Sequence, residues 1–170
     1  MLYYITGGER SGKSNYAQNL ALQLSHNPHY LATSRIWDDN HRQRIDRHVA
    51  DRDERWISIE EEKELSKVIQ SSSVVVIDCV TLWLTNFFVD TENNIELSLA
   101  QAKAEFDKLL KIEATILIIS NEIGMGVHAT TEVGRKFTEL QGWMNQHIAK
   151  HADKAILMVS GIPVEIKGSK

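Results

Sequence analysis

GGERSGKS, residues 7–14, is the stretch that decides the fold. It follows a short apolar run at residues 2–6 and precedes a helical pattern. A glycine, four unrestricted residues and then Gly-Lys-Ser form the phosphate-binding loop pattern. Glycines let backbone N–H groups turn toward a phosphate, Lys13 reaches the β and γ phosphates, and the Ser14 hydroxyl ligates Mg²⁺. The predicted nucleotide contacts here are Gly7, Gly8, Glu9, Arg10, Ser11, Gly12, Lys13 and Ser14.

Short β-branched or aromatic runs alternate with helical patterns along the chain, which indicates a parallel α/β sheet. Strands are predicted at residues 2–6, 29–32, 56–59, 74–77, 115–119 and 155–159, with an edge piece at 163–166. Helices are predicted after Lys13, within the charged segment 35–55, at 60–70, 82–88 and 96–110, and along a stripe of Val133, Phe137, Leu140, Met144 and Ile148. We therefore predict one domain over residues 1–170, with a P-loop NTPase-type (RecA-like) fold whose mostly parallel central sheet is flanked by helices.

The composition limits the classes of function. A formal net charge of −4 argues against an electrostatically driven nucleic-acid binder. No apolar run approaches the roughly 20 residues that span a bilayer, and no signal peptide is visible. Cys79 is the only cysteine, so no intramolecular disulfide forms, and a reducing cytoplasm is the expected location.

Polar residues follow several predicted strands, at the sheet edge where open α/β sheets bind ligands. Besides the phosphate loop, the residues at these strand ends are Thr33, Ser34, Asp78, Asn121, Glu122, Ser160 and Gly161. Asp78 follows a Val-Val-Val-Ile run and fits the acidic residue that holds Mg²⁺ through its water shell. The alternative is that the Asp78 carboxylate caps the following helix. Glu122 is a candidate base or metal contact, with no chemical role as the equal alternative.

The segment at residues 35–55 is highly charged but electrically balanced. It holds six arginines and six acidic residues, and the simplest interpretation is a solvated, salt-bridged helix and loop. His48 lies in this segment beside Arg47. A neutral imidazole nitrogen is available near pH 7 and can attack phosphorus to form a covalent intermediate. Because most exposed histidines have no such role, the residues alone leave both interpretations of His48 open.

Several longer segments, taken in order, resemble one family over nearly the whole chain. They are TGGERSGKS (6–14), YLATSRIWDDNHRQRIDRH (30–48), VVVIDCVTLWLTN (74–86), SNEIGMGV (120–127), GWMNQHIAKHAD (142–153) and VSGIPVEIK (159–167), with Arg135 and Phe137 between them. The sequence is similar to the bifunctional adenosylcobinamide kinase / adenosylcobinamide-phosphate guanylyltransferases of cobalamin biosynthesis. The resemblance implies that the enzyme first phosphorylates adenosylcobinamide with ATP or GTP. It then moves GMP from GTP, through a histidine, onto adenosylcobinamide phosphate, giving adenosylcobinamide-GDP and pyrophosphate.

The resemblance also implies roles for individual residues. The family histidine falls on His48, which would be catalytic together with Lys13. Further nucleotide contacts fall on Ala32, Thr33, Ser34, Val49, Ala50, Asp51, Arg52 and Glu60, beside Asp78. Mg²⁺ would be held by Ser14 and Asp78. Similar proteins form homotrimers, so a homo-oligomer is expected.

Two other functions remain as alternatives at this point. A simple P-loop kinase of a small alcohol would leave His48 without a chemical role. A non-enzymatic GTP-binding switch is disfavoured because no Asn-Lys-x-Asp guanine-recognition run is present. Candidate contacts for the apolar face of the corrinoid are Trp37, Trp83, Phe87 and Trp143, with ordinary core packing as the alternative for each and the favoured interpretation for Trp143.

Overall fold

A mostly parallel sheet forms the centre of the computed structural model, which describes residues 1–35 and 53–168. Its strands are β1 (Leu2–Gly7), β2 (His29–Ala32), β3 (Ile57–Glu60), β4 (Val74–Asp78), β5 (Thr115–Asn121), β6 (Lys154–Val159) and β7 (Ile162–Lys167). Within the described residues the sheet has seven strands in the order β3-β2-β4-β5-β1-β6-β7. All neighbouring pairs are parallel except β6 and β7, which are antiparallel. The predicted α/β, P-loop NTPase-type fold is confirmed.

Helices cover both faces of this sheet. They are α1 (Lys13–Leu24), α2 (Val80–Asp90), α3 (Ile95–Leu109) and α4 (Glu132–His151), with a short 3-10 helix at Leu65–Lys67. The Asn94 side chain accepts a hydrogen bond from the amide of Leu97 at the start of α3, and the Thr131 side chain accepts one from the amide of Gly134 at the start of α4. Such N-caps satisfy amides that lack a partner in the first turn, which explains why both helices begin where they do.

The core consists of two clusters, one on each face of the sheet. In β5, Ile116 and Ile118 pack on the face of α2, α3 and α4, whereas Leu117 and Ile119 pack on the face of α1. Successive residues of a strand point to opposite faces, so a central strand covered on both sides must be apolar throughout. This requirement explains the continuous apolar runs of β4 and β5 in the sequence.

The predicted helix at residues 60–70 is wrong. Glu60 ends β3, and the only helical turn there is the 3-10 helix. The Glu61 carboxylate accepts hydrogen bonds from the amides of Lys63 and Glu64, both at 2.9 Å. A side chain that binds local amides competes with helix formation, and this segment takes a turn instead. The helix predicted within the charged segment falls mostly on residues 36–52, which lie outside the described residues.

The expectation that Trp143 packs in the core is also wrong. Trp143 is 45% exposed, whereas Leu140, Met144 and Ile148 of the same helix are fully buried. Trp143 immediately precedes Met144, and at about 100° per residue its side chain points away from the buried stripe.

Among the helices of the described residues, none is long and apolar enough to cross a membrane. The division into a single domain stays a prediction.

Candidate active site

The phosphate loop connects β1 to α1 and lies against the end of β6. Gly7 has φ +152°, and a Cβ there would lie 2.5 Å from the Met158 carbonyl oxygen. Gly12 has φ +94°, and a Cβ there would lie 3.2 Å from the Cα of Gly161. The Gly161 amide donates to the Ser11 carbonyl oxygen at 3.0 Å. The two loop glycines are therefore required by backbone conformation and by close contact with the turn that follows β6.

Lys13 turns its ammonium group back into the loop. Its Nζ donates to the Gly8 carbonyl oxygen at 2.6 Å and to the Ser11 hydroxyl at 3.4 Å. The residue is only 7% exposed. Burial lowers the pKa of Lys13, and the nearby charge of Asp78 acts in the opposite direction. The loop therefore holds a partly desolvated cation at the position where the motif places a phosphate.

Ser14 and Asp78 come together from different parts of the chain. The Ser14 hydroxyl donates to Asp78 Oδ2 at 3.0 Å, and the Tyr30 hydroxyl donates to the same oxygen at 2.5 Å. The N-cap of α2 is Cys79, so Asp78 does not cap that helix as the alternative interpretation required. A hydroxyl and a carboxylate in contact beside a phosphate loop are oxygen donors that suit Mg²⁺.

The end of β2 is joined to the end of β4. The Thr33 hydroxyl donates to the Cys79 carbonyl at 2.8 Å and accepts from the Cys79 amide at 3.0 Å. The Thr33 amide donates to the Asp78 carbonyl at 3.1 Å. These bonds fix the predicted nucleotide contacts Ala32, Thr33 and Ser34 relative to Asp78. Burial raises the pKa of Cys79 to about 12, so this thiol stays protonated at neutral pH.

Asn86 is a site residue that the sequence interpretation missed. It is fully buried, and its amide nitrogen donates to the carbonyl oxygens of Thr33 at 2.8 Å and Glu62 at 2.9 Å. Asn86 thereby connects the end of β2 to the segment that follows β3. The signal in the sequence is a single side-chain amide on a mostly apolar helix that also carries the buried Trp83 and Phe87. A polar side chain buried among apolar ones requires hydrogen-bond partners.

A cleft of about 1000 Å³ opens beside this connection. Its lining among the described residues is Ser34, Arg35, Glu60, Glu61, Glu62, Lys63, Glu64, Phe87, Gln101, Ala104, Glu105 and Lys108. Arg35 pairs with Glu62 at 2.7 Å and with Asp90 at 2.8 Å, and Lys63 also pairs with Asp90 at 2.9 Å. Hydrogen bonds from Arg35 and Lys63 hold the pKa of Asp90 well below its usual range. The predicted contacts Ser34 and Glu60 thus face one cleft.

The end of β5 lies directly beside the loop. The Glu122 amide donates to the Gly7 carbonyl at 3.0 Å, and the Glu122 carboxylate accepts from the Gly124 amide at 2.8 Å. Behind this strand end, the amide of Asn145 donates to the Asn121 carbonyl at 3.2 Å. The fixed position of Glu122 was not apparent from the sequence, because it depends on the pairing of β5 with β1.

The structure does not bring all of the other predicted residues together at the candidate site. Trp83 is fully buried and its indole donates to the Lys63 carbonyl at 3.1 Å, so it offers no face to a corrinoid. Phe87 is also buried but lines the cleft. Trp37, His48, Val49, Ala50, Asp51 and Arg52 lie outside the described residues.

Comparisons with known proteins address the family. The family model described as CobU, cobinamide kinase / cobinamide phosphate guanyltransferase, matches residues 3–166. The bifunctional adenosylcobalamin biosynthesis protein CobP of Pseudomonas aeruginosa is 32% identical over 169 residues, which cover 96% of each chain. The corresponding CobU protein of Escherichia coli is 34% identical over 182 residues, covering 98% of this chain and 100% of that one.

Among solved structures, the flagellar accessory protein FlaH from Methanocaldococcus jannaschii matches with a TM-score of 0.47 and 16% identity, over 99% of this chain and 78% of that chain. At this distance the likeness says nothing about activity. The family match confirms the resemblance seen in the sequence, including its class of transferase enzymes and its place in cobalamin biosynthesis. The chain belongs to the cobinamide kinase / cobinamide phosphate guanyltransferase family.

Proposed function

We propose that this protein phosphorylates adenosylcobinamide with ATP or GTP and then transfers GMP from GTP to adenosylcobinamide phosphate, giving adenosylcobinamide-GDP and pyrophosphate. The observation that carries the proposal is the arrangement of Lys13, Ser14 and Asp78 on a phosphate loop, in a chain of the cobinamide kinase / guanyltransferase family. A loop of this kind binds the triphosphate that both reactions consume.

In the kinase step, the loop amides and Lys13 bind the β and γ phosphates. Charge that develops as the γ-phosphoryl group leaves the nucleoside diphosphate is stabilised by these fixed donors. Ser14 and Asp78 would hold Mg²⁺, which supplies further neutralisation of phosphate charge when it is bound. The buried surroundings of Lys13 strengthen its interaction with an anion, since solvent screening is reduced there.

In the guanylyl step, a ring nitrogen of His48 attacks the α phosphorus of GTP. The bond between the α phosphorus and the bridging oxygen breaks, and pyrophosphate leaves with the electron pair. A phosphate oxygen of adenosylcobinamide phosphate then attacks the same phosphorus, and the bond to histidine breaks. The assignment of His48 is supported by the family resemblance of the segment RIDRH, residues 44–48. Lys13 and the loop amides would stabilise the departing pyrophosphate.

The nucleotide pocket extends from the loop toward the cleft. Thr33, which is hydrogen-bonded to Asp78 and Cys79, and the adjacent Ser34 would contact the nucleotide on one side. Glu60, at the end of β3, would contact it on another. Val49, Ala50, Asp51 and Arg52 complete the proposed contacts by family resemblance. The same resemblance supports a cytoplasmic homotrimer, and light scattering coupled to size-exclusion chromatography measures the number of subunits.

Incubation with GTP labelled at the α phosphorus tests the function. We expect a protein-bound label that is acid-labile and base-stable, as a phosphorus–nitrogen bond to histidine requires. The label should be absent in His48→Ala and present in His26→Ala, which removes an exposed histidine instead. Phosphorylation of adenosylcobinamide without any adduct would show a simple kinase. Slow GTP hydrolysis with nucleotide-dependent binding of a partner protein would indicate a GTP-binding switch protein instead.

A further inference from the structure

We propose that the Glu122 carboxylate is the general base of the kinase step, where it accepts the proton of the substrate hydroxyl, and that guanylyl transfer does not use it. This inference rests on the proposed function and adds a catalytic residue to it. It assigns one carboxylate to one of the two reactions that share the phosphate loop.

The sheet order places Glu122 beside the phosphate loop. Glu122 is the first residue after β5, and β5 lies between β4, which carries Asp78, and β1, which leads into the loop. The Glu122 amide donates to the Gly7 carbonyl at 3.0 Å. The backbone of Glu122 is therefore bonded to the first residue of the loop, between the two strands that supply the other phosphate and metal contacts.

The carboxylate is held in a defined position. Its Oε1 accepts the Gly124 amide at 2.8 Å, and a Cβ on Gly124 would lie 3.2 Å from that oxygen. Behind it, a buried network joins β5 to α4. The hydroxyl of Ser120 donates to Asn145 at 2.6 Å, and the amide of Gln141 donates to both residues. A general base requires such positioning, because proton transfer depends on hydrogen-bond geometry.

The Glu122 carboxylate differs from that of Asp78 in its contacts. One oxygen of Asp78 already accepts hydrogen bonds from Ser14 and Tyr30. Glu122 takes part in none of the ion pairs formed within residues 1–35 and 53–168. No cationic side chain within those residues therefore competes with a substrate hydroxyl for the Glu122 carboxylate.

Only the kinase step needs a base at this position. There a neutral alcohol attacks: its O–H bond breaks, the proton goes to the Glu122 carboxylate, and the oxygen bonds to the γ phosphorus. The bond from that phosphorus to the bridging oxygen breaks, and the nucleoside diphosphate leaves with the electron pair. In guanylyl transfer the nucleophiles are a neutral imidazole nitrogen and a phosphate monoester. The phosphate is already largely ionised at pH 7, since its second pKa is about 6, so neither attacking atom carries a proton that a base must remove.

Glu122→Gln separates the two reactions, because it keeps the shape of the side chain but lacks the basic carboxylate. We expect the rate of adenosylcobinamide phosphorylation to fall by about 10²- to 10⁴-fold, the usual contribution of a general base. Formation of the GMP adduct, and GMP transfer to adenosylcobinamide phosphate supplied ready-made, should stay within about twofold of wild type. Glu122→Asp should recover part of the kinase rate, and Glu139→Gln, an exposed carboxylate of α4, serves as the matched control.

Two results would overturn the assignment. If Glu122→Gln keeps the kinase rate, the carboxylate is not the base. If it loses both reactions to the same extent, Glu122 acts as a metal contact or a structural residue. Normal adduct formation by the variant also shows that it has folded. A wild-type protein that lacks kinase activity refutes the proposed function itself, which separates that failure from the failure of this inference.

Discussion

Asp78 is the residue at which the proposed metal site is most directly testable. Its carboxylate accepts hydrogen bonds from the Ser14 and Tyr30 hydroxyls. Asp78→Asn keeps the size of the side chain but removes its charge, so Mg²⁺ should bind more weakly. We expect the Mg²⁺ concentration that gives half-maximal kinase activity to rise by about 10- to 100-fold.

The measurement is a Mg²⁺ titration of the kinase rate at saturating nucleotide. Asp107→Asn is the matched control, since this carboxylate of α3 is 56% exposed and is not among the proposed metal contacts. An Asp78→Asn enzyme with a wild-type Mg²⁺ requirement would mean that Asp78 serves only to orient Ser14 and Tyr30.

At the scale of single residues, the sequence predicts those residues whose role follows from a short local motif. Lys13 and Ser14 are predicted from the spacing of one loop, and the structure places the Lys13 ammonium against the Gly8 carbonyl and the Ser14 hydroxyl against Asp78. Asn86 was missed because its importance comes from two carbonyls, on Thr33 and Glu62, that are distant in the chain. No local sequence pattern indicates hydrogen bonds between residues so far apart in the chain. The positions of His48 and Val49–Arg52 remain predictions from the resemblance.

At the scale of elements, Asn86 on α2 holds together two segments of the site. Asn86→Leu keeps the approximate volume but removes both donors, and leaves the carbonyl oxygens of Thr33 and Glu62 without them. We expect the free energy of unfolding to fall by roughly 2 to 4 kcal/mol, because each buried group left unsatisfied costs about 1 to 3. Chemical denaturation measures this loss.

The control for that experiment lies three residues along the same helix. Val89 is 46% exposed, so Val89→Ala should change the free energy of unfolding by no more than about 0.5 kcal/mol. An equally small effect of Asn86→Leu would show that water replaces the lost donors and that the connection does not stabilise the site.

The end of α2 gives a prediction about pH. Asp90 pairs with Arg35 and Lys63, whose hydrogen bonds lower its pKa in the folded state. Because the pKa of Asp90 is lowered in the folded state, its ion pairs stabilise the fold at pH values above the carboxyl's ordinary pKa of about 3.9. This stabilisation is lost as the pH falls through the folded-state pKa. Asp90→Asn should therefore be less stable than wild type at pH 7, by no more than about 1 kcal/mol because the pair is partly exposed.

The difference between the two proteins should shrink as the pH is lowered below the ordinary carboxyl range, and it should also shrink in high salt. Denaturation curves at several pH values measure it. A difference that is the same at pH 7 and at low pH would mean that the negative charge of Asp90 is not its cause.

The elements themselves were predicted well where hydrophobic periodicity decides them. The bounds of β2 agree with the predicted residues 29–32, and those of α3 differ from the predicted residues 96–110 by one residue at each end. The helix predicted at residues 60–70 failed, since the carboxylate of Glu61 binds the amides of Lys63 and Glu64 and stabilises a turn. Such side-chain bonds to the local backbone leave no periodic signal in the sequence.

At the scale of the whole molecule, nucleotide binding should stabilise the entire fold. The loop contacts β1, β6 and α1, and Ser14 reaches Asp78 on β4, so the site is built from elements across the sheet. If residues 1–170 form one domain, thermal unfolding should show a single transition. A non-hydrolysable GTP analogue with Mg²⁺ should move that transition without splitting it.

Ligand at 100 times its dissociation constant adds about 2.7 kcal/mol, which for a chain of this size corresponds to an increase in Tm of about 5 to 10 °C. Lys13→Met should show a much smaller increase, because it lacks the cation that contacts the phosphates. Without ligand, Lys13→Met should be at least as stable as wild type, since a partly desolvated ammonium is replaced by an apolar group of similar length. Two separate transitions, only one of them shifted by the analogue, would instead show that the site belongs to a part of the chain that unfolds independently.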